Sequence, residues 1–157
     1  MPSVGPSTMI RKEMVDRFRE LTDCQKTESR LICELRQLLD QPATALTRQA
    51  TLKVLNRLLD NLPRHLQLAS QGGYLIEVRR LRPSWQRQIK ALQRATVCCL
   101  SSLHELRNHI RHESPSERID TRECGEIKTW IRSLRSLREH ECQLLQNAFA
   151  IDIGGEA

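Results

Sequence analysis

The chain has 157 residues, a net charge of +6, 3% aromatic and 28% charged residues. That length suits one domain, and about 70% of the unfolded surface can be buried at this size, so stability requires neither a metal nor a disulfide. Leucine is abundant and glycine and proline are few, which favours helix over strand and an aliphatic core.

The first predicted helix begins near Ser7 or Thr8 and runs to about Leu39, before Pro42. Its apolar stripe is Met14, Phe18, Leu21, Gln25, Glu28, Ile32, Leu35 and Leu39, in steps of four and three that keep one helical face inward. Gln25 and Glu28 break the stripe. Helix two begins near Thr44 or Thr47 and carries Leu52, Leu55, Leu59, Leu62, Leu66 and Ala69, with His65 beside the stripe. Pro63 removes a backbone hydrogen bond and crowds a carbonyl one turn back, so a kink is expected there. Gly72-Gly73 either stops the helix or is passed by it on the way to Leu81; the second option is preferred because it places His65 near mid-helix.

Helix three opens after Pro83 with Ser84 as its expected N-cap, and extends to about residue 112. Its stripe is Trp85, Ile89, Leu92, Thr96, Cys99, Leu103, Leu106 and Ile110. A polar, proline-containing linker covers residues 113–119. Helix four, residues 121–150, opens at Asp120, which has capping-box spacing to Glu123. It carries Ile127, Trp130, Leu134, Leu137, Glu141, Leu144 and Ala148, with His140 flanking Glu141. Four such helices with short connections predict one all-α domain, an antiparallel up-down-up-down four-helix bundle.

Residues 1–7 hold no apolar run of a signal peptide, and no stretch approaches the ~18 apolar residues of a membrane span. A cytoplasmic protein is therefore expected. Of the six cysteines, none form a C-x-x-C pair, and the adjacent Cys98 and Cys99 fit no zinc spacing; free thiols are expected. Arg79, Arg80, Arg82, Arg87, Lys90 and Arg94 form a basic run without an acid, which reads first as a solvated outer helix face and otherwise suits nucleic acid, an acidic partner or a membrane surface. Nucleic acid is disfavoured, because aromatics do not interleave with these residues to form a stacking platform.

The breaks in the stripes would bring Gln25, Glu28, His65, Thr96, Cys99, His140 and Glu141 near one another. A carboxylate on a core-facing position is costly unless paired, hydrogen-bonded or metal-bound. Three explanations stand for Glu28 and Glu141: a carboxylate metal site, a buried Glu–His or Glu–Arg pair that fixes register, or a wet part of the bundle. No phosphate-binding loop, nucleophile elbow or H-E-x-x-H motif supports catalysis.

Residues 62–68 (Leu-Pro-Arg-His-Leu-Gln-Leu), 71–75 (Gln-Gly-Gly-Tyr-Leu) and Pro83 before a heptad helix resemble bacterial hemerythrin-like, HHE cation-binding domains. Residues 141–149 and 152–155 are also similar to that family. The resemblance implies a four-helix bundle that holds two irons through histidines and carboxylates and binds oxygen, nitric oxide or iron. His65 matches the helix-two histidine, but Ala69 stands where a carboxylate is expected four residues later. Glu28 and Thr96 fall on the histidine positions of helices one and three. Glu141 matches the helix-four carboxylate with Leu137 on the accompanying histidine position, unless a shifted register lets His140 serve. The resemblance thus implies a degenerate member whose remnant ligands are Glu28, His65, His140 and Glu141. The expected function is non-enzymatic binding or regulation through a protein partner, with no cofactor. The alternatives are iron or diatomic-gas binding with altered ligands, and weak nucleic-acid or acidic-partner binding through the basic run.

Overall fold

A computed structural model describes residues 6–71, 78–80, 82–113 and 117–154. The described chain is all helical: α1 Pro6–Asp40, α2 Ala45–Gln71, α3 Gln86–Asn108 and α4 Thr121–Gly154. The four pack antiparallel in up-down-up-down order, with α1 against α2, α2 against α3 and α3 against α4, while α1 and α4 touch least of the neighbouring pairs. No described helix is long and apolar enough to cross a membrane.

Local chemistry sets the helix starts. Thr44 and Thr47 cap α2 reciprocally: Thr44 N–H donates to Thr47 Oγ1 at 2.8 Å, and Thr47 N–H donates to Thr44 Oγ1 at 3.1 Å. Asp120 and Glu123 do the same for α4: Glu123 N–H donates to Asp120 Oδ1 at 2.7 Å, and Asp120 N–H donates to Glu123 Oε1 at 3.1 Å. The Asp120→Ala variant is expected to lose about 1 kcal/mol of stability, the usual cost of an N-cap; urea unfolding midpoints check it, and no change would show that the box is ornamental.

Helix three departs from expectation at both ends. Ser84 does not cap it; Ser84 lies inside a 3-10 turn, Pro83–Trp85, and no side chain caps the start of α3. Past Asn108 the chain widens into a π turn, His109–Glu113, whose Ile110 carbonyl accepts a 2.7 Å bond from Arg48 Nη2 of α2. Pro63 lies inside α2 without ending it, and its ring is exposed. Gly72-Gly73 and the proposed passage toward Leu81 lie outside the described residues, though 78–80 are helical. Helix α4 runs to Gly154, four residues beyond its expected end.

The stripes of α2, α3 and α4 face inward as expected, and that of α1 is rotated. Leu21, Glu28 and Leu35 are buried, but between them the chain buries Cys24 and Leu31 rather than Gln25 and Ile32. Gln25 is exposed, and Phe18 is 66% exposed. The steps 21, 24, 28, 31, 35 obey the same four-and-three rule, so spacing alone could not choose between the two faces. Met14 and Ala148 lie among residues whose surroundings are not described.

Two apolar clusters form the core. The larger holds Leu31, Leu35, Leu55, Leu58, Leu62, Leu103, Ile127 and Leu134 among others; the smaller holds Leu21, Ala69, Val78 and Ile89. In sequence, Glu28, His65 and Glu141 each fall between the residues their helices give to the two clusters, and Thr96 lies between the buried Ile89 of the smaller and Cys99 of the larger. A polar layer therefore separates two dry ones.

Candidate functional site

The polar layer is an ion cluster built around an arginine. Arg138 of α4 grips Glu28 of α1 with two parallel bonds, Nη2 to Oε1 at 2.6 Å and Nε to Oε2 at 2.9 Å. Its Nη1 donates to Glu141 Oε2, one turn along α4, at 2.9 Å. The side chains of Arg138, Glu28 and Glu141 are 19%, 9% and 10% exposed, so all three are largely withdrawn from water. A planar guanidinium satisfies two carboxylates in this way because its fork of donors matches their oxygens. The bidentate pair also ties together the two neighbouring helices that otherwise touch least.

His65 of α2 completes the layer. It is buried, its Nε2 has no hydrogen-bond partner among the described residues, and it borders a void of about 10 Å³ with Thr96, Arg138 and Glu141. That space accommodates no more than a water molecule. Burial, and secondly the Arg138 charge, push the His65 pKa down to about 3. Burial, and secondly the Glu28 charge, push Glu141 up to about 7. Thr96 spends its hydroxyl on its own helix, donating to the Leu92 carbonyl at 2.8 Å. The Cys99 thiol is pushed up to about 11, chiefly by burial, so it is no thiolate nucleophile near neutral pH. Its carbonyl accepts Trp130 Nε1 at 2.9 Å. All six cysteines are free thiols.

Of the residues expected here, Glu28, His65, Thr96, Cys99 and Glu141 lie inside the bundle, and Gln25 and His140 do not. His140 is exposed, with Nδ1 2.9 Å from the Ser136 carbonyl. The donor set does not fit a di-iron centre. Both carboxylates that would bind cations are bridged by Arg138, and among the described residues no three His, Cys, Asp or Glu converge to hold a metal ion. Of the three explanations open from sequence, the buried Glu–Arg pair is the one the structure displays. Arg138 itself was missed, because the α4 stripe was read as a narrow seam. The signal was Ile131, which is buried beside Trp130 and Leu134. It widens the inner face toward Arg138, seven residues on.

The second feature is a groove between α3 and α4, an open trough of about 860 Å³. Its floor is Leu92, Cys99 and Leu106 from α3 and Trp130, Leu137 and Leu144 from α4. Each set recurs every seven residues, so the two rows run the length of the trough. The middle of the walls is small, with Ala91, Ala95, Cys98 and Ser102 on one side and Ser133 and Ser136 on the other, while larger polar side chains, among them Gln88, Glu126, His140 and Gln143, line the rest. Small side chains there explain why the trough is open, since neither helix reaches across to close it. Sequence reading passed over it because small residues outside the stripes looked like ordinary solvent-facing positions.

The basic run divides. Arg87, Lys90 and Arg94 are exposed on α3, while Arg79 and Arg80 are exposed and Arg82 half-buried ahead of it. Compared with protein-family models, curated proteins and solved structures, the chain matches none, so what its site is for rests on the geometry.

Proposed function

We propose that the chain is a non-catalytic helical binding module whose working surface is the groove between α3 and α4, with the buried ion cluster serving to fix the bundle. The observation that carries this reading is the groove. It is a trough in the size range of ligand sites, apolar along its floor, where Leu92, Leu106 and Leu144 are half-buried over the buried Trp130 and Leu137. The cluster supports the second half. A guanidinium already neutralises Glu28 and Glu141 with good geometry, which is the role a metal would otherwise have. The hemerythrin resemblance then bears on architecture and not on iron.

Titration with the fluorescent dye 1-anilinonaphthalene-8-sulfonate tests the surface. One dye should bind per chain and perturb Trp130 emission. Ala95→Phe and Ser133→Phe, which fill the trough from opposite walls at exposed positions, should each weaken binding about tenfold without lowering the melting temperature. Unchanged dye binding in both variants would remove the groove from consideration. Recovery of two irons per chain from protein made in iron-supplemented cells would overturn the metal-free half.

A further inference from the structure

We propose that the α3–α4 groove receives an acidic amphipathic helix of a partner protein, docked lengthwise as a fifth helix; this rests on the groove reading above. Shape gives the first argument. The floor residues Leu92, Cys99 and Leu106 span fourteen residues of α3, and Trp130, Leu137 and Leu144 span fourteen of α4. At ~1.5 Å per residue each row is roughly 21 Å long, about four helical turns. A straight trough with a seven-residue apolar repeat on both sides is the surface that a two-helix seam offers to a third helix. The walls supply the holes. Ala95, Ser102, Ser133 and Ser136 let a neighbouring backbone approach closely, and the missing bulk must come from large apolar side chains of the incoming helix.

Charge gives the second argument and selects the partner. Arg122 and Glu126 pair at 3.3 Å and cancel. On the outward sides of the two banks that leaves Arg87, Lys90, Arg94, Lys128 and Arg132 exposed, against exposed Glu105 and Glu139. Arg94 lies three residues after Ala91 and four before Cys98; Arg132 lies three after Thr129 and four before Ser136. Each arginine therefore stands along the edge of its wall. An acidic helix in the trough would have a guanidinium on either flank. A second copy presenting the same face would oppose like charges and set small residues against small ones, filling nothing.

A displayed library of 21-residue helices tests this. Leucine is fixed on one face in heptad positions, and the flanking positions are randomised between Glu and Lys. Selection on the intact protein should enrich Glu over Lys at the flanking positions at least fivefold. The selected peptides should displace the dye, lose about tenfold in affinity for Ala95→Phe, and weaken as salt rises because the flanking charges are screened. Enrichment of Lys, no charge bias, or peptides that bind Ala95→Phe equally well would overturn the acidic helix while leaving the dye-binding groove intact. Loss of dye binding to the wild-type protein would remove the groove itself. A dimer in sedimentation that Ala95→Phe dissociates would replace the partner helix with a second copy.

Discussion

Replacing Arg138 with leucine should cost about 3–5 kcal/mol of unfolding free energy, the usual penalty for stripping one partner from a buried ion cluster. The mechanism is not loss of attraction alone. Glu28 and Glu141 would remain inside the bundle, largely withdrawn from water, with no cation between them and with like charge facing like charge. The α1–α4 interface would lose its bidentate tie at the same time. Two companion measurements separate these effects. As pH falls below about 7 the penalty should shrink, because Glu141, which burial and the Glu28 charge push up to about 7, no longer repels Glu28 once protonated. Converting Glu28, Arg138 and Glu141 together to leucine should recover most of the loss, since apolar residues of similar size often replace a buried ion triad without penalty. Urea unfolding across this pH range checks all three. A loss below about 1 kcal/mol in Arg138→Leu would mean that solvent reaches the cluster freely and that it does not hold α1 to α4.

The second large effect lies in the pH dependence of stability, where His65 and Glu141 act in opposite directions. The folded state holds His65 near 3, below its ordinary value of 6.5. Its contribution is present above pH 6.5 and is lost as pH falls toward 3, because the unfolded chain takes up the proton first. The folded state holds Glu141 near 7, above its ordinary value of 4.5. Its contribution is present below pH 4.5 and is lost as pH rises toward 7, because the folded chain keeps the proton longer. Between 4.5 and 6.5 the two slopes offset.

Substitution should therefore expose each slope. In His65→Leu, stability relative to wild type should fall as pH rises from 4.5 to 6.5, by up to about 1.4 kcal/mol per pH unit. In Glu141→Gln it should rise over the same window by a similar slope. Burial and the Arg138 charge set the His65 shift, and burial and the Glu28 charge set that of Glu141, so the two variants report on different surroundings. Parallel pH profiles for wild type and both variants would contradict the burial of these groups. The opposition has a structural consequence: a bundle with a buried, titratable centre keeps nearly even stability across the mildly acidic range.

Much of the fold was legible in the chain because helical packing is written in spacing. Thr96 and Cys99 were placed in the interior by a stripe that begins at Trp85 and ends at Ile110, and both are buried there. Asp120 and Glu123 were named as a capping box from a three-residue interval, and the two bonds are present. Pattern fixes such features because they depend on contacts within one or two turns. The α1 face was less legible. Gln25 and Cys24 satisfy the same periodicity, and only the position of the neighbouring helices decides which of the two is covered.

The candidate site divides along the same line. The sequence by itself determined that the interior has a polar layer, since Glu28, Thr96 and Glu141 interrupt three apolar stripes and His65 flanks the fourth at a comparable depth. Only the tertiary structure decided what the layer is. Arg138 is 110 residues from Glu28 along the chain, and no local rule pairs them; they meet because α1 and α4 are brought side by side by what each packs against. The groove is tertiary in the same sense. Ala95 and Ser133 are ordinary small residues on separate helices, and they become opposite walls of one trough only when α3 and α4 lie antiparallel with nothing large enough between them to close the gap.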